Sequence, residues 1–274
     1  MENEKKINWF IGHMKRTVDI LESKKKNIDF VIEVVDARLP YGSSNLELLS
    51  VFENKPIIKI ALKSDLVKKD HYQNGFFYAS IKNPADRKKI INYIDSCLKE
   101  KKDRLIKKGL RNPTFIGIVV GLPNIGKSSL INYLSNKKSL NVENRPGVTR
   151  KTENIKISDS LFLIDTPGVF LKNVTDYQMG LSLALINCVK REVVDKKDLV
   201  LFLISKFIEN NNLNSFNETL NTNINSNNPS EVLSELLKVL KIDEDNNQKI
   251  SVFYDFVFKK TIDNPKISLF LEKI

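Results

Sequence analysis

A phosphate-binding loop near the middle of the chain constrains the fold more than any other feature. Residues 121–128, Gly-Leu-Pro-Asn-Ile-Gly-Lys-Ser, match the pattern G-x-x-x-x-G-K-[ST]. The apolar segment 114–120 is typical of a buried strand, and residues 129–134 are typical of an amphipathic helix. In such a strand–loop–helix unit the backbone N–H groups and the helix N-terminus attract phosphate. The sequence therefore predicts a nucleoside triphosphate site.

The side chains of this loop have distinct expected roles. Lys127 can reach the β- and γ-phosphates, and the Ser128 hydroxyl can ligate Mg²⁺. The predicted nucleotide contacts in the loop are Asn124, Ile125, Gly126, Lys127, Ser128 and Ser129.

Two later segments are expected to complete the phosphate and magnesium site. Residues 145–149, Arg-Pro-Gly-Val-Thr, are typical of a switch loop whose Thr149 closes over the γ-phosphate. A predicted strand at 160–164 ends in Asp-Thr-Pro-Gly, so that Asp165 can hold the magnesium shell and Gly168 can offer its N–H to the γ-phosphate. In isolation this tetrapeptide would also suit a surface turn. The predicted metal ligands are Ser128, Thr149 and Asp165.

The motif that would read guanine, N-K-x-D, is missing from the sequence beyond residue 170, and its nearest equivalent lies upstream. Residues 62–65, Leu-Lys-Ser-Asp, follow an apolar strand predicted at 57–62. A short strand at 76–79 ends at Ser80, where a second guanine-contacting loop is expected. All elements are present in a rotated order, which a sheet with neighbouring termini tolerates. The predicted base contacts are Lys63, Ser64, Asp65 and Ser80.

With this order the chain resembles the circularly permuted GTPases of the YlqF/RbgA type, which act in maturation of the large ribosomal subunit. Residues 9–14, Trp-Phe-Ile-Gly-His-Met, are similar to the W-F-P-G-H-M segment of that family, with Ile11 in place of proline. Residues 35–40, together with Ser43 and Asn45, match its D-A-R-x-P segment. The resemblance covers essentially the whole chain. It implies a GTPase that binds GTP and GDP, joins pre-50S particles, promotes late maturation and leaves on hydrolysis.

Departures from the pattern affect base reading and hydrolysis. Leu62 stands where the family has asparagine, so we expect guanine specificity through Asp65 with weaker affinity. Val169 occupies the position from which many GTPases orient water with glutamine. The resemblance makes His13 the catalytic candidate, although a histidine beside Trp9 would also suit simple packing.

The sequence leaves the roles of three other polar residues open. Asn124 is expected by resemblance to hold an activating K⁺, although asparagine also stabilises tight loops. Arg38 and Arg145 suit either phosphate or a neighbouring carboxylate equally well.

The charge, hydropathy and cysteine content of the chain indicate which partners and which cellular compartment to expect. The net charge of +11 suits a polyanion such as rRNA, but it also suits solvated lysines that result from a compositional bias of the genome. The sequence shows neither a membrane-length apolar run nor a secretory signal at its start, so we expect a cytoplasmic protein without a membrane partner. Cys97 and Cys188 are expected to be reduced core residues.

The predicted fold class is α/β: a circularly permuted P-loop GTPase domain at 1–175 with a mostly parallel sheet, then a small α-helical RNA-binding domain at 176–274. Strands are predicted near 29–35, 57–62, 76–79, 114–120 and 160–164. The predicted helices of the second part lie near 180–189, 199–207, 231–241 and 250–260, with a loop over the Asn-rich segment 209–228.

Two other functions compete with a ribosome-activated GTPase. A nucleotide-gated rRNA-binding module with negligible hydrolysis is suggested by Leu62 and Val169. An ATP-dependent metabolic kinase is disfavoured, because no acceptor-substrate signature follows the phosphate loop.

Overall fold

The computed structural model describes residues 19, 21–135, 154–168, 174, 176–243 and 246–272. His13, Arg145, Thr149 and Val169 lie outside these residues. The described chain divides into two compact units. One unit contains residues 21–64, 72–135 and 154–168, and the other contains 65–71, 176–243 and 246–272.

The first unit is built on a six-stranded sheet flanked by helices. Its strands are β1 (Phe30–Asp36), β2 (Ile57–Leu62), β3 (Phe77–Ala79), β4 (Phe115–Val120), β5 (Asn154–Lys156) and β6 (Leu161–Ile164). Its helices are α1 (Leu46–Ser50), α2 (Asp86–Lys107) and α3 (Lys127–Ser135).

The strand order β3-β2-β1-β4-β6-β5 confirms the predicted mostly parallel sheet. All neighbouring pairs run parallel except β5 and β6, which are antiparallel. Every residue of β1 is buried, as expected for a central parallel strand covered on both faces. The edge strand β5 was not predicted, because its three residues include only one apolar side chain, Ile155.

The strand order places a topological switch point between β1 and β4. From β1 the chain moves outward through β2 and β3, and it then returns to the opposite side of β1 as β4. In open α/β sheets, ligands bind in the crevice at the carboxyl ends of the strands that flank such a point. The segments that follow Asp36 and Val120 therefore border the expected site.

The position of Cys97 on helix α2 shows that the prediction of two buried thiols was wrong for this residue. The buried stripe of α2 consists of Ile90, Ile94 and Leu98, spaced four residues apart on one face. Cys97 precedes Leu98 on a different face and is exposed, whereas Cys188 is buried as predicted.

The second unit is helical, as predicted for the C-terminal part of the chain. Its helices are α4 (Tyr177–Leu185), α5 (Lys196–Glu209), α6 (Leu213–Leu220), α7 (Pro229–Val239) and α8 (Asn247–Thr261). Short polar side chains begin four of them: Asp176, Asp195, Asn228 and Asn246 each accept a hydrogen bond from a backbone N–H of the first turn. None of the helices in the described part of the chain is both long enough and apolar enough to cross a bilayer.

The loop predicted over 209–228 was wrong, because this segment contains α6. Phe216 and Leu220 lie on one face of that helix and are buried. Asn217 is also buried, donating through Nδ2 to the Ile224 carbonyl at 2.7 Å and accepting from the Thr222 hydroxyl at 2.9 Å. The abundance of asparagine suggested a loop, but here an asparagine organises the turn after the helix.

Residues 65–71 belong to the helical unit, although they follow the end of β2 in the chain. The Leu66 carbonyl accepts from the Leu269 N–H at 3.0 Å, and the Lys68 N–H donates to the Ser268 hydroxyl at 2.9 Å. The His71 ring stacks on Phe270 with centroids 4.8 Å apart. The segment that directly follows the predicted base-reading residues is thus fixed by the end of the described chain.

Candidate nucleotide site

The phosphate loop joins β4 to α3 and is shaped by unusual backbone angles. Asn124 has φ of 55° and Gly126 has φ of 111°, both in the left-handed region. Ile125 is fully buried within the loop. Ser129 is half-buried in the first turn of α3. Backbone N–H groups at a helix N-terminus bind anions, and this loop leads directly into one.

Lys127 is held at the mouth of this loop although it is almost fully buried. Its ammonium donates to the carbonyl oxygens of Gly121 at 3.2 Å and Leu122 at 2.8 Å. The ammonium therefore lies within the curve of the loop that the sequence predicts to bind phosphate.

The structure brings together Ser128 and Asp165, two of the three predicted metal ligands. The Ser128 hydroxyl donates to Asp165 Oδ2 at 2.6 Å. Thr166 fixes the strand end, donating through its N–H to Asp165 Oδ1 at 2.9 Å and through its hydroxyl to the Val119 carbonyl at 2.6 Å. Burial raises the pKa of Asp165, while the hydrogen bond from Ser128 and the charge of Lys127 act against that rise. A hydroxyl beside a carboxylate is an oxygen donor set suited to Mg²⁺.

Gly168, the predicted γ-phosphate contact, lies against the phosphate loop. A Cβ atom added to Gly168 would lie 2.5 Å from Pro123 Cα, closer than two carbon atoms can pack. Only glycine permits this approach between the segment after β6 and the loop after β4.

The end of β2 also reaches the phosphate loop, as the rotated order requires. Leu62 is buried, and its Cδ1 would lie 3.2 Å from a Cβ placed on Gly126. Lys63 follows with φ of 62°, and Ser64 and Asp65 begin a short 3₁₀ helix. Leu62 and Gly126 are therefore neighbours in space, although β3, α2 and β4 lie between them in the sequence.

Ser80 lies at the carboxyl end of β3, on the same edge of the sheet. Its N–H donates to Asp86 Oδ2 at 3.0 Å, and its hydroxyl accepts from the Lys82 N–H at 3.2 Å. These bonds fix the turn between β3 and α2, with Ser80 almost fully buried.

A buried ion cluster beside the site was not predicted. Arg38 is fully buried and binds Asp36 through two side-chain hydrogen bonds, Nε to Oδ1 and Nη2 to Oδ2, both 2.8 Å. The Lys63 ammonium donates to Asp36 Oδ2 at 2.9 Å. Burial alone would raise the pKa of Asp36, but the two cations outweigh it and hold that pKa well below its usual range. Arg38 therefore pairs with a carboxylate, the alternative to phosphate that the sequence left open.

Comparisons with known proteins agree with this arrangement. Residues 116–242 match the family model described as 50S ribosome-binding GTPase. The chain is 44% identical over 198 residues to the probable ribosome biogenesis GTPase A of Mycoplasma genitalium, covering 72% of this chain and 73% of that protein. It is 35% identical over 209 residues to ribosome biogenesis GTPase A of Priestia megaterium, covering 72% and 73%.

A solved structure supports the fold independently. The structure titled GNP-bound YlqF from T. maritima superposes with a TM-score of 0.55 at 17% identity, covering 95% of this chain and 99% of that chain. At this identity the superposition shows that the fold is shared.

Proposed function

The chain belongs to the family of ribosome biogenesis GTPases A, and we propose that it hydrolyses GTP on a precursor of the large ribosomal subunit and leaves that particle afterwards. Family membership makes it a GTPase of ribosome assembly. The large subunit as partner is supported by the match to a 50S ribosome-binding family model. The observation that carries this proposal is the approach of Leu62 to Gly126, because it puts the end of β2, to which we assign base reading, beside the phosphate loop.

Phosphate binding is assigned to the loop after β4. Lys127 neutralises the β- and γ-phosphates, and N–H groups of Asn124, Ile125 and Gly126 and of Ser128 and Ser129 at the start of α3 surround their oxygens. Gly168, which already lies against this loop at Pro123, would donate its N–H to the γ-phosphate.

Mg²⁺ is the metal ion that this donor set fits. Ser128 and Asp165 would hold it, with Thr149 as the third protein ligand. When bound, the ion neutralises charge that develops on the phosphate oxygens. Asp165 is buried, so its carboxylate keeps a fixed direction toward Ser128.

Guanine reading is assigned to Lys63, Ser64, Asp65 and Ser80. A carboxylate at Asp65 accepts from guanine N1–H and N2–H₂, a donor pattern that adenine lacks. Adenine cannot supply these two donors, so it should bind this carboxylate less favourably than guanine does.

Two further assignments concern hydrolysis. His13 is proposed to orient the attacking water after the particle moves its segment toward the nucleotide, since a neutral imidazole accepts a proton near pH 7. Asn124 is proposed to hold a K⁺ ion through its side-chain oxygen. Its left-handed backbone is a conformation that asparagine adopts more readily than most residues, so its alternative role is to shape the loop.

The helical part at 176–274 is proposed to contact rRNA, and the protein to act in the cytoplasm. The excess of basic residues, which supports a polyanionic partner, lies in residues 1–175, whereas residues 176–274 themselves carry 12 basic and 14 acidic side chains. Affinity for the particle should then fall steeply with added salt, since bound phosphates release counterions.

Single-turnover hydrolysis of GTP, with and without purified large-subunit precursors, tests this function. Slow turnover that the precursor accelerates is expected. A second candidate, a nucleotide-gated rRNA-binding module, is favoured by the apolar Leu62 at the strand end, and it requires negligible hydrolysis in both reactions. Competition between GTP and ATP for binding separates both from an ATP-dependent kinase.

A further inference from the structure

Asp36 is the centre of a buried ion cluster at the carboxyl end of β1. Its carboxylate is fully buried and, among the described residues, accepts hydrogen bonds from Arg38 Nε and Nη2 at 2.8 Å, the Arg38 N–H at 3.0 Å and Lys63 Nζ at 2.9 Å. The Asp36 N–H donates to the Ser43 hydroxyl at 3.0 Å, which in turn donates to the Leu39 carbonyl at 2.6 Å. A buried charge costs free energy unless hydrogen-bond donors compensate for the lost water. These donors also fix the orientation of the Asp36 carboxylate.

Lys63 is the member of this cluster that the chain places in an unfavourable conformation. Its φ of 62° lies in the left-handed region, which an L-residue with a long side chain rarely adopts. Such a conformation persists only where surrounding contacts impose it. Here the Ala37 N–H donates to the Leu62 carbonyl at 2.8 Å, and the Asp36 carboxylate holds the Lys63 ammonium.

The neighbouring contact with the phosphate loop cannot impose a direction by itself. Leu62 contacts Gly126 through a methyl group, and an apolar contact of this kind is not directional. The directional restraints on the chain as it leaves β2 are therefore hydrogen bonds: the Ala37 N–H holds the Leu62 carbonyl, and the cluster at Asp36 holds the Lys63 side chain.

We propose that Asp36, held by Arg38, is a positioning residue that fixes Lys63 and with it the start of the base-reading segment beside the phosphate loop. This inference rests on the proposed function, because it assumes that the residues from Lys63 onward read guanine. It assigns to the cluster a role in selecting guanine over adenine that is separate from phosphate binding.

Lys63→Met tests the proposal with little risk to folding. Methionine keeps the length and packing of the stem and removes only the ammonium, while Asp36 stays paired with Arg38. Affinity for GDP should fall about tenfold, or about 1.4 kcal/mol, while affinity for inorganic tripolyphosphate should stay unchanged. Lys63→Arg retains a donor to the carboxylate and should restore most of the GDP affinity.

Lys101→Met is a closely matched control. The Lys101 ammonium pairs with Asp29 Oδ1 at 2.7 Å, with 33% of its side chain exposed, against 2.9 Å and 31% for Lys63. This variant should leave GDP and tripolyphosphate binding unchanged.

Asp36→Asn separates positioning from a direct contact between Lys63 and the base. It should cause the same loss of GDP affinity, and the double variant with Lys63→Met should lose no more than either alone. Full GDP affinity in Asp36→Asn would overturn the inference.

Hydrogen exchange provides a readout that does not require Asp36→Asn to fold. In the nucleotide-free protein, amide exchange of residues 62–64 should be faster in Lys63→Met than in the wild type or Lys101→Met. Unchanged exchange would mean that the cluster does not restrain the segment, and it would overturn the proposal.

The proposed function and the role of Asp36 are contradicted by different results. A wild-type protein that binds ATP as well as GTP contradicts the proposed function. A wild type that prefers GTP, with the same preference in Lys63→Met, contradicts only the role of Asp36.

Discussion

Leu62 lies against Gly126, with its Cδ1 3.2 Å from the position that a Cβ on Gly126 would take. One residue ends β2 and the other lies in the phosphate loop after β4. The contact joins two motifs whose order along the chain is the reverse of that in an unpermuted guanine-nucleotide protein. A parallel sheet permits this because its strand ends share one edge, whatever the order of the strands in the chain.

The first prediction concerns the space at Gly126. Gly126→Ala and Gly109→Ala each force alanine into a left-handed backbone, with φ of 111° and 95°, and each should cost about 1–2 kcal/mol of unfolding free energy. Gly109 has no atom within 4 Å of an added Cβ, so only Gly126→Ala should also lower nucleotide affinity, by about tenfold or more. Urea unfolding and titration with a fluorescent GDP measure the two effects. Equal GDP affinity in the two variants would show that the extra methyl group at position 126 can be accommodated beside Leu62 without disturbing nucleotide binding.

The second prediction concerns Ser128. Ser128→Ala removes the hydroxyl that lies 2.6 Å from Asp165, and with it one proposed magnesium ligand. The rate of single-turnover GTP hydrolysis should fall about a hundredfold at fixed Mg²⁺, by loss of charge stabilisation on the phosphates. Ser135→Ala is the control, since Ser135 lies in the same helix and donates to the Asn132 carbonyl at 3.2 Å. A similar rate of GTP hydrolysis in Ser128→Ala and Ser135→Ala would show that Ser128 is not a magnesium ligand.

The third prediction concerns the pH dependence of stability. The folded state holds the pKa of Asp36 below its ordinary value, so its ionised form stabilises the protein above that value, and this contribution is lost as the pH falls below about 4. At pH 7, Asp36→Asn should lower the unfolding free energy by about 3–5 kcal/mol, because it leaves Arg38 buried beside a neutral partner. The difference from the wild type should narrow between about pH 4 and pH 3.

Urea unfolding at a series of pH values measures this difference. Asp95→Asn, at an exposed position of α2, should change the unfolding free energy by less than about 0.5 kcal/mol at pH 7. A constant difference between wild type and Asp36→Asn down to pH 3 would be inconsistent with a stabilising carboxylate at this position.

The fourth prediction concerns the helical unit. Asn217→Ala leaves the buried Ile224 carbonyl without its donor and removes the acceptor for Thr222, so it should cost about 2 kcal/mol. Asn225→Ala, at an exposed position in the same segment, should cost less than about 0.5 kcal/mol. Thermal or urea unfolding distinguishes them. Equally small losses of unfolding free energy in the two variants would show that the hydrogen bonds of Asn217 do not stabilise the segment, as expected of the loop that its composition suggested.

Much of the site follows from local sequence patterns. The strand before the phosphate loop and the strand before Asp165 are apolar runs that end in motif residues, and parallel strands place such ends together. The approach of Ser128 to Asp165 could therefore be predicted, and so could the approach of the end of β2 to the phosphate loop.

The remaining features depend on tertiary contacts that no local pattern encodes. Arg38 suits phosphate and carboxylate equally well until the fold buries it beside Asp36. Helix α6 was hidden because its asparagines are typical of loops, and only packing shows that Asn217 is buried. The packing of 65–71 with 268–270 joins segments that share no motif.

The most direct measurement is nucleotide competition in Asp65→Asn. The carboxylate of Asp65 is proposed to accept from guanine N2–H₂, whereas an asparagine amide would donate to the O2 carbonyl of xanthine. We predict that the wild type binds GTP more tightly than XTP by at least about a hundredfold, and that Asp65→Asn reverses the preference. If Asp65→Asn still prefers GTP, the segment at the end of β2 does not read the base, and the rotated guanine site is contradicted.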